Sequence, residues 1–335
     1  MSGEPLLVLD NLVKEFRGGG LFRRGPPVRA VDRVSLTVRR GEALGLVGES
    51  GSGKTTLGRC ALRLVEPTAG TVHFDGVPVL ALDRSALRTL RRRMQIVFQD
   101  PYGSLNPRMT VGAAVREPLE VHRLAKGTTA IERVARLFDE VGLDPSIADR
   151  YPHELSGGQR QRIGIARALS VEPEFLALDE PVSALDVSVQ AQVLNLLADL
   201  RERRRLTYLF IAHDLAVVRH LADRVAVMYL GRLMEAGSTT ALFAKPLHPY
   251  TVSLLEAVPV PDPTAPRRRV VPVGDPPSVR RPPPGCVFHP RCPHPSKDSR
   301  CSTEVPKFRE VAPGQWAACH YAETTPAPPT LPHGR

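Results

Sequence analysis

Long apolar runs are missing from this sequence. No stretch approaches the roughly eighteen residues that a membrane-spanning helix needs, although 42% of the 335 residues are hydrophobic. The N-terminal sequence MSGEPLLVLD also lacks the basic region that begins a signal peptide. We therefore expect neither a membrane span nor secretion, and a cytoplasmic location is the default expectation.

Lysine is scarce, although the chain is basic. Only 6 of the 45 Lys and Arg residues are lysine, and about half of the formal net charge of +10 lies after residue 256. A basic surface of this kind can face nucleic acid or anionic lipid. Charge alone therefore does not choose a partner.

Internal repeats are also absent, and proline divides the chain instead. Nineteen of the 33 prolines lie after residue 256, where they interrupt helices and central strands. Before that point, strand-like runs alternate with helical periodicity, which is typical of a parallel α/β sheet. We therefore expect one domain over residues 1–255, a C-terminal region over 256–320 and a disordered tail over 321–335.

Three apolar runs predict buried strands: EALGLVG (Glu42–Gly48), FLALDE (Phe175–Glu180) and TYLFIAH (Thr207–His213). Between the last two runs, apolar residues at helical spacing predict a crossover helix; they are Val189, Val193, Leu196, Leu197 and Leu200. Residues from about 105 to 165 lack strong strand signals, so we expect a helical insert there.

A phosphate-binding loop is predicted after the first of these strands. The sequence Gly48-x4-Gly53-Lys54-Thr55 stands between a strand and a helix, which is the context that this motif requires. Its backbone amides can surround phosphates, Lys54 adds a charge, and the Thr55 hydroxyl can bind Mg²⁺. The expected nucleotide-binding residues are Gly48, Glu49, Ser50, Gly51, Ser52, Gly53, Lys54, Thr55 and Thr56.

Two adjacent carboxylates end the second strand. Such a loop needs a metal-binding carboxylate at the end of a neighbouring strand, and Asp179 fits that role. Glu180 is then the candidate general base for attack of water on the γ-phosphate. The alternative is a pair of solvated turn residues with no catalytic function.

Together with further short motifs, residues 1 to about 245 resemble the ATP-binding cassette (ABC) ATPases. LSGGQ (Leu155–Gln159) matches the ABC signature, and SALD (Ser183–Asp186) resembles the D-loop. The resemblance implies a P-loop NTPase fold with a parallel-sheet core, an antiparallel β subdomain and a helical subdomain. It also implies ATP and Mg²⁺ as ligands and assigns further residues: Gln99 to the Q-loop and to Mg²⁺, His213 to the catalytic switch, and Phe16 to the adenine.

The signature raises the question of why one chain carries two phosphate-binding loops. In the resembled family two ATPase domains meet head to tail, which would place Ser156, Gly157, Gly158 and Gln159 on the ATP of a partner. Asp186 would link the two sites. The packing face of the following helix is predicted at Ile163, Ala166 and Leu169. The simpler alternative is a capped helix that contacts no ATP.

Three stretches narrow the resemblance to oligopeptide/dipeptide (and nickel) importer ATPases: VFQDPYGSLNPRMTV, LFAKPLHPYTVSLLEAVP and the cysteine-containing tail. The resemblance implies a second ATPase subunit, two separate permeases and an extracytoplasmic substrate-binding protein, at the cytoplasmic face of the membrane. Peptide is the expected substrate, with nickel or another small solute as alternatives. A nucleic-acid or ribosome ATPase is the rival, but too few residues separate the two loops for a coiled-coil insertion, so no nucleic acid is expected.

Four of the five cysteines lie in a small irregular C-terminal region, in a C-x5-C-x8-C-x17-C array. A proline-rich segment with little core can be held together by a metal, and four thiolates suit Zn²⁺ or a [4Fe–4S] cluster. Unligated thiols are the third alternative, and Cys60 is expected to pack in the first domain. The candidate ligands are Cys286, Cys292, Cys301 and Cys319, with His289, His294 and His320 as possible substitutes.

Overall fold

The computed structural model describes residues 3–17, 27–100, 102–257, 274–275 and 277–326. The strands are β1 (Pro5–Phe16), β2 (Val28–Arg39), β3 (Ala43–Val47), β4 (Ala69–Phe74), β5 (Val77–Pro78), β6 (Met94–Val97), β7 (Phe175–Asp179), β8 (Thr207–Ala212), β9 (Arg224–Tyr229), β10 (Arg232–Ser238), β11 (Arg309–Ala312) and β12 (Gln315–Ala317).

The α-helices follow the same chain order: α1 (Lys54–Ala61), α2 (Arg84–Arg93), α3 (Val111–Val121), α4 (Gly127–Glu140), α5 (Gly157–Leu169), α6 (Val187–Arg204), α7 (Leu215–Leu221), α8 (Thr239–Ala244), α9 (Pro249–Glu256) and α10 (Arg300–Thr303). Short 3₁₀ turns lie at Val79–Ala81, Pro145–Asp149, Pro152–Glu154, His289–Arg291 and Ala322–Thr324.

The chain divides into two units. The first unit comprises Met1–Leu7, Val38–Ala43 and His73–Ile211. The second unit comprises Val8–Thr37, Leu44–Val72 and Ala212–Arg335.

The first unit contains the parallel strands β6, β7 and β8, in that spatial order. Every residue of β7 and β8 is buried, as expected for parallel strands that are covered on both faces. Helix α6 connects them and buries Val193, Leu197 and Leu200. The predicted strands and crossover helix are therefore confirmed, although Val189 is only half-buried.

Helices occupy the next part of the first unit. The described residues from 102 to 169 form no strand, and α3 packs against both α4 and α5. The buried face of α5 includes Ile163, Ala166 and Leu169, as the apolar spacing predicts. The N-terminal ends of α3 and α5 are capped by Thr110 and Ser156, whose hydroxyls accept backbone N–H groups.

The second unit contains β3 and its parallel neighbour β9, which pairs with β10 in an antiparallel hairpin. The hairpin turns at Leu230 and Gly231, both with positive φ. Beyond β10, the C-terminal strand β12 continues the pairing, with Glu235 opposite Ala317, and β11 follows. The C-terminal region is thus mostly irregular but contributes two short strands.

In the core of the second unit, an aromatic side chain of the C-terminal region packs against aromatic side chains of the preceding domain. Phe288 is fully buried, and its ring centroid lies 5.4 Å from that of Tyr229 and 5.2 Å from that of Tyr250. Burial of one such ring stabilises a fold by about 1.5–3 kcal/mol. The C-terminal region therefore shares a core with β9 and α9.

The end of the described chain is also packed. Ala322 is buried, and the Thr325 hydroxyl donates to the Leu247 carbonyl at 2.8 Å. These residues belong to the segment predicted as a disordered tail, of which residues 327–335 lie outside the described residues. Among the described helices, none combines the length and the apolar character needed to cross a membrane.

Candidate active site

The loop between β3 and α1 requires two of its glycines for steric reasons. A Cβ on Gly48 would lie 2.0 Å from the Met228 carbonyl oxygen. Gly53 has φ +102°, and a Cβ there would lie 2.1 Å from the Ala30 carbonyl oxygen. Only glycine, which has no Cβ, allows the close approach at both positions and readily adopts the positive φ at Gly53.

Gly53 is the N-cap residue of α1, and no side chain caps this helix start. The amides of a first helical turn lack partners within their own helix, so an uncapped turn attracts anions. Lys54 is 4% exposed, and its Nζ donates to the Gly48 and Glu49 carbonyls at 2.6 and 3.0 Å. The loop therefore places a fixed positive charge beside a helix start that no side chain caps.

Three residues outside the motif also hold this loop, and sequence patterns did not identify them. The Glu49 N–H donates to the Tyr250 hydroxyl at 2.8 Å. The Glu49 carboxylate pairs with Arg291, whose Nη1 also donates to the Tyr229 hydroxyl at 3.2 Å. The sequence signals are that Tyr250 falls within LFAKPLHPYTVSLLEAVP and that Arg291 lies within the cysteine array.

The end of β7 carries the two predicted carboxylates. Asp179 is 1% exposed, whereas Glu180 leaves the strand with φ +47°. A non-glycine residue with this φ is strained, and such strain is concentrated at functional sites. The Glu180 N–H donates to the Ile211 carbonyl at 3.0 Å, which holds the turn.

Gln99 lies beside the candidate base. Its Nε2 donates to Glu180 Oε2 at 3.0 Å. The structure therefore brings together the Q-loop glutamine and the candidate base.

The signature segment forms a reciprocal cap on α5. The Ser156 hydroxyl accepts the Gln159 N–H at 3.3 Å, and Gln159 Oε1 accepts the Ser156 N–H at 3.0 Å. This is a capping box. A Cβ on Gly158 would lie 2.5 Å from Val189 Cγ1, so this glycine permits the close packing of α5 on α6.

Asp186 of the D-loop caps the next helix. Its carboxylate accepts the Val189 N–H at 3.0 Å and the Ser188 hydroxyl at 2.9 Å. These hydrogen bonds, led by that of the Val189 amide, lower the pKa of Asp186. Asp186 is therefore an ionised, exposed cap at the start of α6.

Two predicted residues of the second unit are exposed. His213 follows β8 directly, and Phe16 ends β1 with 44% of its surface exposed. The Lys14 Nζ lies 4.9 Å from the centroid of the Phe16 ring. An aromatic ring that is exposed to this extent can stack on a planar ligand.

The residues predicted to bind Mg²⁺ carry the kinds of oxygen atom that this ion prefers. Mg²⁺ prefers hydroxyl, carbonyl and carboxylate oxygens, and Thr55, Gln99 and Asp179 offer one of each kind. In chemical terms these donors fit the ion.

The four C-terminal cysteines are buried or half-buried. Burial is the main cause of the raised pKa of Cys286 (about 11) and Cys319 (about 12), and neighbouring thiols raise both further. Within the part of the chain that the structure describes, no group of three or more His, Cys, Asp or Glu side chains could hold a metal ion. The arrangement therefore does not fit the predicted four-ligand centre.

The candidate substitute histidines make other contacts. The His294 Nδ1 accepts the Ser296 N–H at 3.1 Å, and its ring stacks on Tyr321. The His289 and His320 rings lie within hydrogen-bond distance of the Cys286 and Glu304 carbonyls. The remaining cysteine, Cys60, is fully buried in α1, as a packing residue should be.

Comparison with known proteins adds to this geometry. The family model for the ABC transporter ATPase matches residues 31–183, and that for the oligopeptide/dipeptide transporter C-terminal region matches residues 234–301. A putative peptide import ATP-binding protein of Brucella ovis is 52% identical over 319 residues, covering 95% of this chain and 98% of that protein. This chain belongs to the ABC transporter ATPases. The oligopeptide transport ATP-binding protein AppF of Bacillus subtilis is 50% identical to this ABC ATPase over 322 residues, covering 95% and 97% of the two chains.

A solved structure agrees with the fold of this ABC ATPase. The dimeric post-hydrolysis state of the ATP-binding cassette MJ0796, bound to ADP and phosphate, is 30% identical with a TM-score of 0.63. The match covers 70% of this chain and 99% of that chain. The predicted P-loop NTPase fold of the ABC type is therefore confirmed. Membership in this family implies ATP hydrolysis with Mg²⁺, dimerisation and permease partners.

Proposed function

We propose that this ABC ATPase drives the uptake of di- and oligopeptides through separate permease subunits. The observation that carries the proposal is the combination, in one chain, of the ABC ATPase match and the oligopeptide/dipeptide C-terminal match. Similar proteins named for peptide import support it. The full system would include a second ATPase subunit, in our proposal a paralogue, and an extracytoplasmic substrate-binding protein, with this chain at the cytoplasmic face of the membrane.

Lys54 and the loop amides would hold the phosphates of ATP, and Phe16 would stack on the adenine. Thr55, Gln99 and Asp179 would hold Mg²⁺, which neutralises the charge that develops on the phosphates. The remaining phosphate-loop contacts would come from Gly48, Glu49, Ser50, Gly51, Ser52, Gly53 and Thr56.

Glu180 would take the proton of the attacking water. Gln99 holds its carboxylate through a 3.0 Å hydrogen bond, and an orienting contact of this kind is typical of a general base. His213 would orient the water and the γ-phosphate.

The signature segment would act on a second ATP. Ser156, Gly157, Gly158 and Gln159 would close over the nucleotide of a partner ATPase, and Asp186 would connect the two sites. ATP would then bridge two domains, so ATP binding would favour the closed dimer and hydrolysis would open it.

Size-exclusion chromatography with light scattering tests this function. The Glu180→Gln variant, mixed with its partner ATPase, should bind ATP and form a stable dimer only when ATP is present. Glu132→Gln, on an exposed position of α4, should hydrolyse ATP normally and show no trapped dimer. A Glu180→Gln variant with undiminished turnover, or with no ATP-linked dimer, would refute the proposed site.

The substrate needs a transport assay. Proteoliposomes that contain this ATPase, its permeases and the binding protein should take up labelled peptide when ATP is supplied inside. Uptake of Ni²⁺ without peptide uptake would favour the alternative. ATPase activity stimulated by nucleic acid in the absence of permeases would favour the rival class.

We also propose the domain limits given above, with the ATPase domain over 1–255 and the C-terminal region over 256–320. The metal centre at Cys286, Cys292, Cys301 and Cys319 stays a prediction without support from the geometry. Metal analysis and absorbance near 400 nm after anaerobic purification test it, because only a [4Fe–4S] protein is brown. A colourless, metal-free protein would leave unligated thiols.

A further inference from the structure

We propose that Arg291 and Tyr250 are positioning residues for ATP binding, because they fix the phosphate loop through Glu49. The C-terminal region would then set the nucleotide affinity of this ABC ATPase as well as extend its fold. The inference rests on the proposed nucleotide site at Lys54.

The first contact is an ion pair between the C-terminal region and the loop. Arg291 Nη1 lies 3.0 and 2.9 Å from the two carboxylate oxygens of Glu49. Arg291 is 8% exposed, and its guanidinium lies 5.9 Å from the centroid of the Tyr229 ring. A pair that is mostly removed from water holds its geometry more strongly than an exposed one.

The second contact fixes the backbone of the same residue. The Tyr250 hydroxyl accepts the Glu49 N–H at 2.8 Å. Tyr250 is fully buried, with its ring centroid 4.7 Å from that of Tyr229 and 5.2 Å from that of Phe288. The hydroxyl therefore has little freedom to follow a moving loop.

Glu49 also contacts Lys54, so its position affects that of the lysine. The Glu49 carbonyl accepts the Lys54 Nζ at 3.0 Å, beside the Gly48 carbonyl at 2.6 Å. Every polar group of Glu49 is thus engaged: its N–H by Tyr250, its carboxylate by Arg291 and its carbonyl by Lys54. A displaced Glu49 would also displace the charge that binds phosphate.

Charge gives Arg291 a second effect. Glu49 places a carboxylate, 29% exposed, within a loop that must bind the negative phosphates of ATP. Arg291 neutralises this carboxylate. Without the arginine, the uncompensated charge would repel the nucleotide.

The experiment compares single and double variants of the full chain. Titration with a fluorescent ATP analogue in the presence of Mg²⁺ gives the affinity, and thermal unfolding gives the stability. Arg291→Gln should weaken nucleotide binding about tenfold, as expected for one partner left alone in a largely buried pair. Adding Glu49→Gln to Arg291→Gln should restore at least half of that loss on a logarithmic scale, because the unpaired charge is gone.

Tyr250→Phe should weaken nucleotide binding about threefold, the effect of one neutral hydrogen bond. It should raise KM for ATP more than it lowers kcat. Tyr208→Phe is its matched control, since this buried hydroxyl donates to the Leu197 carbonyl instead. Arg300→Gln, which removes an exposed arginine paired with Glu304, is the control for Arg291→Gln. Both controls should leave the affinity within about twofold.

Unchanged affinity in Arg291→Gln and Tyr250→Phe, with only the unfolding temperature lowered, would overturn the inference and leave a structural role. If Arg291→Gln does not fold, the nucleotide affinities of Arg291→Lys and Tyr250→Phe provide the test instead. Normal affinity in both variants would also overturn the inference. Lys54→Ala separates the two proposals. If Lys54→Ala binds nucleotide normally, the proposed site is wrong; if only Lys54→Ala loses binding, the inference alone fails.

Discussion

The phosphate loop (Gly48–Thr55) and the signature loop (Leu155–Gln159) are both glycine-rich and both precede a helix, but their helix ends differ. Helix α1 starts after Gly53, a residue with positive φ and no side-chain cap. Helix α5 starts with a capping box in which Ser156 and Gln159 satisfy each other's amides. The first loop leads into a helix start that no side chain caps, whereas the start of α5 is capped by side chains of its own chain.

This difference fits the proposal that the two loops contact different nucleotides. A helix start without a side-chain cap, beside the fixed Lys54 charge, can bind an anion at little structural cost. The signature segment is an ordinary capped helix within this chain, and in our proposal the ATP of a partner would supply a further acceptor for its N–H groups. ATP contact through Ser156 would therefore depend on a closed dimer, while binding at Lys54 would not.

The largest expected effect separates the loops directly. Lys54→Ala should weaken nucleotide binding about a hundredfold, because losing a desolvated charge contact costs roughly 2–5 kcal/mol and about 1.4 kcal/mol corresponds to tenfold. Fluorescence titration of the isolated chain measures it. Lys126→Ala, at an exposed position before α4, should bind normally. Equal losses in the two variants would mean that only overall charge matters.

Within the first loop, two glycines should respond differently. Gly53→Ala should lower nucleotide affinity at least tenfold, since its Cβ would strike the Ala30 carbonyl oxygen at 2.1 Å in a backbone conformation that costs about 1–2 kcal/mol for an L-residue. Gly51 also has a positive φ, +78°, but a Cβ added there would have no atom within 4 Å. The same titration should show a smaller loss there, and a larger loss at Gly51 would contradict the steric explanation.

Ser156→Ala should affect turnover rather than binding. We expect about tenfold slower ATP hydrolysis by the assembled dimer, the scale of one lost transition-state contact, with the ATP affinity of the isolated chain unchanged. Thr110→Ala removes a comparable cap from α3 and should leave turnover nearly normal. If both cap variants slow hydrolysis equally, Ser156 acts only as a helix cap.

The smallest effect tests the cap itself. Gln159→Ala removes one half of the capping box, so we expect a loss of about 0.5–1 kcal/mol and a melting temperature lower by about 2 °C. Thermal unfolding monitored by circular dichroism measures the change. Glu132→Ala, inside α4, should not lower the melting temperature. No change in Gln159→Ala would show that the box contributes no stability.

Much of the fold could be predicted from short segments. Strands β3, β7 and β8 are apolar throughout because parallel strands are buried on both faces, so they stand out in the sequence. Gly48, Gly53 and Lys54 follow a fixed spacing because a loop around phosphates allows few backbone paths. The spacing of Ser156 and Gln159, three residues apart, is likewise typical of a capping box at the start of a helix such as α5.

Contacts between distant segments could not be predicted. Arg291 lies 242 residues from Glu49 and is one arginine among many, and nothing near Tyr250 in sequence indicates that its hydroxyl accepts the Glu49 amide. For the four cysteines, the spacing suggested a metal centre, but the described side chains include no group of three or more that could hold a metal ion, so that centre stays a prediction.

The sequence by itself determined the ABC family, the two loops and the strands that carry them, because each depends on residues a few positions apart. Only the tertiary structure decided that the C-terminal region shares a core with β9 and α9 and holds the phosphate loop through Glu49. The physical reason is that hydrogen bonds and ion pairs depend on distances in space, which chain order fixes only within a helix turn or a tight loop.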